Sequence, residues 1–323
     1  MRAMFAEQFG SLDQLKLTDL PKPSPAPGRA LVRMTAAGVT PLDHTILTGG
    51  MPTVKPPLAP GNEGAGVIED AGDTGLRAGT RVMFTGGYGV REPGTYAEWA
   101  MVRKEDVVAI PDGITDVAAA GVPVAYLTAY LALKEAGFSE GKAVFAPAVG
   151  GSVGNAVTQL ARALGARHAV TSSTKPEKAA QARRMGFDEV VDLSQEGLAA
   201  GVRRITEGRG VDIVIDAIGG DVLAQGLASL APGGTLTTLG YSAGRIARID
   251  VTHLIWKRAA IRSFSLFAQS PVAVEEAWQT LLPLLASGAI RPIVAKTFAL
   301  QEAGEALRYL VEERPFGRVV LTF

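Results

Sequence analysis

A glycine-rich turn between a strand pattern and a helix pattern constrains the fold of this chain most strongly. The turn reads Ala148-Val149-Gly150-Gly151-Ser152-Val153-Gly154. It follows a short apolar run at 143–146, typical of a buried strand, and leads into a helical pattern at 155–164. Glycines at such a junction permit a tight turn and leave backbone N–H groups open to a phosphate. The turn therefore predicts a βαβ unit that binds a dinucleotide.

The segment after the turn alternates between strand and helix patterns. Apolar runs between amphipathic segments favour a parallel sheet covered on both faces, so the predicted fold class is α/β. Strands are predicted at 169–171, 189–191, 211–215 and 235–239, and helices at 176–185, 198–206 and 222–230.

The first 110 residues have a different character, with short β-branched runs such as 30–34, 66–69 and 81–84 between Pro and Gly. This pattern predicts a compact, mostly β domain. A length of 323 residues also favours two domains. One or two helices are predicted at 116–136, near the boundary. The simplest assembly returns the terminal strand pattern at 318–323 to the N-terminal domain, which makes that domain discontinuous.

Composition excludes several functions. Lys plus Arg (32) equals Asp plus Glu (32), and no basic run is present, so no nucleic-acid partner is expected. The absence of cysteine excludes disulfides, thiolate nucleophiles and cysteine-ligated zinc. His44, His168 and His253 share no ligand spacing, so no metal site is predicted. The start lacks the apolar segment of a signal peptide, which predicts a cytoplasmic protein with no membrane association.

The end of the second predicted strand bears on the choice of dinucleotide. NAD-binding folds place an acidic residue there for the ribose hydroxyl. This chain has Thr171-Ser172-Ser173-Thr174-Lys175-Pro176-Glu177-Lys178 instead. Hydroxyl and ammonium groups suit a 2′-phosphate, so NADPH is the predicted cofactor.

Several further motifs follow in a fixed order along the chain. They are Ala37-Gly38-Val39-Thr40-Pro41-Leu42-Asp43, Pro60-Gly61-Asn62-Glu63-Gly64-Ala65-Gly66-Val67, Gly94-Thr95-Tyr96-Ala97-Glu98-Trp99, Gly210-Val211-Asp212-Ile213-Val214-Ile215-Asp216 and Gly317-Arg318-Val319-Val320-Leu321. Together with the turn they cover nearly the whole chain. The sequence resembles the zinc-independent quinone oxidoreductase branch of the medium-chain dehydrogenase/reductase superfamily.

The resemblance implies a central Rossmann domain at 119–262 and a discontinuous GroES-like, β-rich catalytic domain at 1–118 and 263–323. It also implies homodimers paired through the edges of the Rossmann sheets, with 261–267 as the edge strand and its exit. The cofactor-binding residues implied by position are Thr128, Gly150, Gly151, Ser152, Val153, Ser172, Ser173, Lys178, Ala217, Ile218, Gly240, Tyr241, Leu266 and Phe267.

The chain departs from its zinc-dependent relatives at the metal ligands. Those relatives carry a cysteine at or near position 40 and His-Glu at positions 62 and 63, whereas this chain has Thr40 and Asn62-Glu63. Many quinone reductases have asparagine where Thr40 stands and tyrosine where Thr45 stands. The predicted reaction is NADPH-dependent reduction of a quinone or α,β-unsaturated carbonyl, with Thr40 or Thr45 polarising the acceptor oxygen and His44 and Tyr88 as further candidates.

Two other functions remain open from the sequence. An enoyl-thioester reductase shares the Gly61-Asn62-Glu63-Gly64 motif, although such enzymes normally use the tyrosine that position 45 lacks. A dinucleotide-binding protein of crystallin-like, regulatory or RNA-binding type is the alternative from another class. The balanced charge disfavours RNA binding.

Overall fold

The chain divides into two compact units in the computed structural model, which describes residues 1–323. The first unit combines Met1–Val124 with Pro292–Phe323, and the second is Ala125–Arg291. The bounds predicted from the sequence lie at 118–119 and 262–263, a few residues before the first of these divisions and about thirty before the second.

The N-terminal segment is mostly β. Its elements are β1 (Arg2–Ala6), β2 (Leu15–Asp19), β3 (Arg29–Val39), α1 (Pro41–Leu47), β4 (Glu63–Asp70), β5 (Arg81–Thr85), β6 (Trp99–Arg103), β7 (Val107–Ala109) and α2 (Asp116–Ala119).

The central segment alternates between helices and strands. Its elements are α3 (Pro123–Glu135), β8 (Ala143–Ala146), α4 (Ser152–Ala163), β9 (His168–Ser173), α5 (Pro176–Arg184), β10 (Val190–Asp192), α6 (Leu198–Ile205), β11 (Val211–Asp216), α7 (Gly220–Ser229), β12 (Leu230–Thr238), α8 (Thr252–Lys257), β13 (Ala260–Ser263) and α9 (Pro271–Ala286).

The C-terminal segment completes the first unit. It contains β14 (Val294–Ala299), α10 (Ala303–Glu312) and β15 (Arg318–Thr322). Short 3₁₀ helices cover Leu12–Gln14, Lys104–Asp106, Leu266–Ala268 and Leu300–Glu302.

The second unit is built on a six-stranded sheet in the order β10-β9-β8-β11-β12-β13, and every pairing in it is parallel. The α/β fold class and the predicted alternation are confirmed. Strand β8 is flanked by β9 on one side and β11 on the other, so the order reverses there. Ligands of such sheets bind at the carboxyl ends of the strands at this reversal. The glycine turn leaves β8 at that point.

The long strand β3 is a central strand of the main sheet in the first unit. Strand β3 pairs antiparallel with β4, β6 and the C-terminal strand β15, where Val320 lies opposite Gly38. Strand β15 also pairs in parallel with β14. The return of the C-terminal strand to the N-terminal β domain is therefore confirmed, and apolar side chains from both ends of the chain form one core, including Val39, Leu307 and Leu321.

Helix α9 contacts α3 of the second unit through two side-chain hydrogen bonds. Thr280 of α9 is hydrogen-bonded to the Tyr130 hydroxyl of α3 at 3.1 Å. Glu276 accepts a bond from Lys134 at 2.8 Å. These contacts attach α9 to the second unit. The two packing partners of α9, Tyr130 and Lys134, lie more than 130 residues earlier in the chain.

Candidate active site

The glycine turn is held firmly to the end of the neighbouring strand. The Val149 N–H donates to the Ser172 carbonyl at 2.9 Å, and the Gly151 N–H donates to the Ala148 carbonyl at 2.8 Å. Ala148 has a φ of 62°, a left-handed conformation that is uncommon for a residue with a side chain. The turn is thus a fixed structure between β8, β9 and α4.

The start of α4 has the features of a phosphate site. Its N-cap is Gly151, and no side chain caps the first turn. The N–H groups at this terminus carry the positive end of the helix dipole and can bind an anion. A Cβ at Gly154 would lie 2.2 Å from the Pro147 carbonyl oxygen, whereas a Cβ at Gly151 would come no closer than 3.2 Å to the protein. Gly154 therefore serves packing, and Gly151 leaves an exposed backbone for a ligand.

A polar network behind the turn was not predicted from the sequence. The Asn155 amide nitrogen donates to the Val149 carbonyl at 3.2 Å, and its amide oxygen accepts from Gln159 at 2.6 Å. The Gln159 amide oxygen accepts the Arg291 N–H at 2.7 Å. The network holds the Val149 carbonyl of the turn through the Asn155 amide. Only the spacing of Asn155 and Gln159, one helical turn apart, hints at it in the sequence.

The residues predicted to contact the 2′-phosphate lie at the end of β9 and in the segment after it. The hydroxyls of Ser172 and Ser173 differ in their hydrogen bonding. The Ser173 hydroxyl donates to the Lys175 carbonyl at 2.9 Å and accepts the Lys175 N–H at 3.2 Å. It therefore shapes the loop. The Ser172 hydroxyl makes no hydrogen bond within the protein, although the residue is buried. Thr174 and Lys175 are exposed, and Lys178 is partly exposed on α5.

The loops after β11 and β12 lie against each other. A Cβ at Gly240 would lie 2.4 Å from the Ala217 carbonyl oxygen, and the Ala243 N–H donates to the Ile218 carbonyl at 2.8 Å. The structure therefore brings together Ala217, Ile218 and Gly240, with Tyr241 next in sequence and exposed.

Asp216, missed by the sequence analysis, organises these two loops. Its carboxylate accepts the N–H groups of Ile218 at 3.0 Å and Gly219 at 3.1 Å. Burial raises its pKa, and the hydrogen bonds to the carboxylate oppose that change. An aspartate directly before a glycine-containing loop, at the end of an apolar strand, was the available signal.

The remaining predicted cofactor residues lie on separate elements of the second unit. Thr128 is buried in α3, and its hydroxyl makes no hydrogen bond within the protein. Leu266 and Phe267 follow β13 on a 3₁₀ helix, where Phe267 is partly exposed.

Thr40, a predicted catalytic residue, is the N-cap of α1. Its hydroxyl donates to the Asp43 carboxylate at 2.8 Å, and the Asp43 carboxylate also accepts the Thr40 N–H at 2.9 Å, which forms a capping box. Asp43 also receives the Tyr96 hydroxyl at 3.1 Å. Burial raises the pKa of Asp43 against these bonds. The single hydroxyl proton of Thr40 is therefore used within the protein.

The other candidates in this region also have identifiable partners. The Thr45 hydroxyl donates to the Pro41 carbonyl one turn earlier, at 2.9 Å. The Tyr88 hydroxyl donates to Asp106 at 2.7 Å and accepts the Arg103 N–H, and burial raises its pKa. His44 is half-buried, and burial lowers its pKa, which favours a neutral imidazole.

Glu63 and Arg318 form a buried ion pair beside these residues. The second carboxylate oxygen of Glu63 accepts the Val124 N–H at 2.8 Å. Burial lowers the pKa of Arg318 to about 10, so its guanidinium stays charged at neutral pH. Both oxygens of Glu63 therefore have protein donors. The structure contains no cluster of three or more His, Cys, Asp or Glu side chains that could hold a metal ion.

Known proteins resemble this chain over nearly its whole length. Residues 26–112 match the alcohol dehydrogenase GroES-like domain, and residues 152–287 match the zinc-binding dehydrogenase domain. A quinone oxidoreductase of Pseudomonas aeruginosa is 31% identical over 326 residues, which cover 99% of this chain and 98% of the relative. The chain belongs to the quinone oxidoreductase family. It is accordingly an oxidoreductase of the medium-chain dehydrogenase/reductase superfamily.

Two further proteins are similar to this member of the quinone oxidoreductase family over most or all of their length. A 2-haloacrylate reductase of a Burkholderia species is 32% identical over 316 residues, covering 92% of each chain. The quinone oxidoreductase of Thermus thermophilus, solved also as a complex with NADPH, is 32% identical with a TM-score of 0.86 and full coverage of both chains. None of the helices here combines the length and apolar character needed to cross a membrane.

Proposed function

We propose that this chain reduces a quinone or an α,β-unsaturated carbonyl compound with NADPH, without zinc. The observation that carries the proposal is the uncapped start of α4, at the point where the strand order of the parallel sheet reverses. Ser152 and Val153 would hold the pyrophosphate through their N–H groups, with Gly151 leaving the approach open. NADPH, when bound, supplies the reducing equivalents.

NADPH is favoured over NADH by the residues after β9. Thr174 and Lys175 are exposed there, and Lys178 is partly exposed one turn into α5. The neighbouring carboxylate of Asp192, opposite Ser173 in the sheet, accepts the N–H and hydroxyl of Ser194. The hydroxyl and ammonium groups suit the 2′-phosphate of NADPH. The relative from Thermus, which binds NADPH, supports the same choice.

A conjugated acceptor is consistent with the relatives. One is named a quinone oxidoreductase, and another is named for 2-haloacrylate, whose carbon–carbon double bond is conjugated to a carboxyl group. Such acceptors need a positioned donor at the oxygen where charge develops, and no covalent residue.

Zinc independence is supported by two residues, Thr40 and Glu63, that stand where zinc-dependent relatives have metal ligands. Both already have hydrogen-bond partners within the protein. Thr40 donates to Asp43, and Glu63 accepts from Arg318 and Val124. No cysteine is present anywhere in the chain. A metal would have to displace bonds that are already formed.

The experiment that tests this function is NADPH oxidation across quinones, enones, 2-haloacrylate and enoyl thioesters, with NADH in parallel. We expect turnover with at least one conjugated acceptor, at least a tenfold preference for NADPH, and no loss after treatment with a zinc chelator. Preference for crotonyl thioesters would identify an enoyl-thioester reductase instead. No turnover with any acceptor, despite saturable NADPH binding, would favour a binding protein.

A homodimer is proposed from the outer edge of the second unit's sheet. Strand β13 has a neighbour only on its β12 side, and Trp256 on the adjacent helix α8 is 80% exposed. Leu254 of the same helix packs against the core. The next two residues, Ile255 and Trp256, face away from the core and are exposed. A second copy of this edge offers both an unpaired strand and matching apolar side chains.

Light scattering tests the dimer at micromolar protein concentration. The wild type is expected at twice the chain mass, and Trp256→Ser is expected to shift the mass toward the monomer. Leu17→Ser, which changes an exposed apolar residue on β2 of the first unit, is the matched control. A wild-type monomer at this concentration would exclude the homodimer.

A further inference from the structure

The hydroxyl protons around the start of α1 and β4 are all committed to protein acceptors. Thr40 and Tyr96 donate to Asp43. Thr45 donates to the Pro41 carbonyl. Thr85 donates to the Asn62 carbonyl at 2.7 Å, and Thr95 donates to the Glu63 carbonyl at 2.9 Å. None of these hydroxyls can donate to an acceptor oxygen without breaking a bond that the fold has formed.

The side chain of Asn62 is different. The residue is only 2% exposed, yet its amide nitrogen donates to no group of the protein. Its amide oxygen lies 3.5 Å from the Thr40 hydroxyl, at the limit of a hydrogen bond, whereas the same hydroxyl lies 2.8 Å from the Asp43 carboxylate. A buried amide normally pairs its N–H groups, because leaving one unpaired costs about 1–3 kcal/mol.

The other asparagine of the chain shows the ordinary arrangement. Asn155 is also buried, and both its amide nitrogen and its amide oxygen have protein partners. The Asn62 nitrogen also differs from the three buried side-chain atoms that have neither a hydrogen bond nor solvent contact, which are Glu92 Oε1, Thr237 Oγ1 and Arg318 Nε. The Asn62 nitrogen therefore keeps a small solvent-accessible area.

The backbone on both sides of Asn62 is fixed. The Gly61 N–H donates to Asp43 at 3.1 Å, and Gly61 has a φ of 101°. A Cβ at Gly61 would lie 2.5 Å from the Tyr96 ring. On the other side, Glu63 is held by Arg318 and by the Val124 N–H. The main chain that carries the amide is therefore held in place before any ligand binds, and a donor stabilises developing charge most effectively when it is positioned in advance.

We infer that the Asn62 amide nitrogen is the hydrogen-bond donor to the carbonyl oxygen of the acceptor. This inference rests on the proposed reduction of a conjugated carbonyl compound. As the acceptor is reduced, negative charge grows on its carbonyl oxygen, and the amide N–H stabilises that charge. The amide keeps its own proton, and solvent supplies the proton that completes the reduction. Asn62 thus takes the role that the sequence analysis gave to Thr40 or Thr45.

The test compares Asn62→Leu and Asn62→Ala with the wild type, using the acceptor that the wild type reduces best. Removing one preorganised donor lowers kcat by about 10²–10³ in known oxyanion sites, and we expect a loss of that order here. The NADPH dissociation constant, measured by fluorescence titration, is expected to stay within twofold. Asn62→Gln, which retains an amide donor, is expected to recover part of the lost turnover.

A second readout does not depend on turnover. The conjugated aldehyde 4-(dimethylamino)cinnamaldehyde absorbs at longer wavelength when its carbonyl accepts a strong hydrogen bond. Bound to the wild type with NADP⁺, which cannot reduce it, the probe is expected to show a red shift. Asn62→Leu and Asn62→Ala are expected to bind it without that shift. Asn62→Ala, which adds no bulk, replaces Asn62→Leu if the latter does not fold.

The outcomes separate this inference from the function on which it rests. A wild type that reduces no conjugated acceptor overturns the proposed function itself. An active wild type whose Asn62 variants keep kcat within twofold and retain the red shift overturns the role of Asn62 alone. Loss of both turnover and the shift, with NADPH binding intact, supports it.

Discussion

Thr40 has one hydroxyl proton, and Asp43 receives it at 2.8 Å. From the sequence, Thr40 was a plausible donor to a substrate, because a hydroxyl stands where many relatives have an asparagine. The structure shows the same hydroxyl as a helix cap and as one of several donors to a buried carboxylate. At the scale of a single residue, the partner decides the role.

Replacing Thr40 tests that assignment. Thr40→Val removes the cap and one donor to Asp43, so we expect a loss of about 1–3 kcal/mol in the free energy of unfolding, measured with urea. Thr40→Ser keeps the hydroxyl and is expected to retain most of the stability. A Thr40→Val protein as stable as the wild type but inactive would return Thr40 to a catalytic role.

His44 gives a prediction about pH. Burial lowers its pKa in the folded state below the ordinary value, whereas the unfolded chain has the ordinary value of about 6.5. The unfolded state therefore binds the proton more readily, and this contribution to stability is lost as pH falls from about 6.5 toward the folded pKa. Urea midpoints are expected to fall between pH 7.5 and pH 5.5, and less steeply in His44→Gln. Superimposable profiles for the two proteins would contradict this reasoning.

At the scale of elements, the glycine turn joins one strand to one helix and combines two functions. Gly154 permits close packing of α4 on the turn, while Gly151 leaves the helix start uncovered. Both are glycines in the same motif, and the sequence alone does not distinguish them. The distinction comes from which backbone atoms lie within reach of an added Cβ.

Two alanine substitutions separate packing from binding. Gly151 has φ −79° and ψ 151°, which any residue adopts, so Gly151→Ala is expected to fold normally and to weaken NADPH binding at least tenfold. Gly154→Ala places a methyl group against the Pro147 carbonyl and is expected to cost about 1–3 kcal/mol of stability. Thermal unfolding and NADPH titration measure the two effects. Unchanged NADPH affinity in Gly151→Ala would argue against phosphate binding at this turn.

At the scale of the whole chain, Glu63 and Arg318 join segments that are far apart in sequence. Arg318 opens the C-terminal strand β15, and Glu63 opens β4. The pair is buried, and a Cβ at Gly38 would lie 2.5 Å from Glu63 and 2.7 Å from Arg318. The glycine on β3 thus leaves room for the ion pair that fastens the end of the chain to its beginning.

Breaking this ion pair is expected to destabilise the protein strongly. Glu63→Gln leaves the buried guanidinium without its counter-charge, which costs about 3–5 kcal/mol in comparable cases. Urea unfolding measures the loss. Glu276→Gln removes the partner of Lys134 in an exposed pair and is the matched control, expected to unfold as the wild type does. A Glu63→Gln protein with wild-type stability would show that the pair contributes little.

The sequence by itself determined the alternation of strands and helices, the glycine turn and the β character of the N-terminal part. These features are periodic or local, so neighbouring residues specify them. Only the tertiary structure decided which unit holds α9, which hydroxyl protons are used by Asp43, and which buried amide stays unpaired at Asn62. Those outcomes depend on contacts such as Tyr130 with Thr280 and Glu63 with Arg318. The partners are distant in sequence. Which side-chain donor remains without a protein acceptor is settled only when folding has paired the other donors and acceptors.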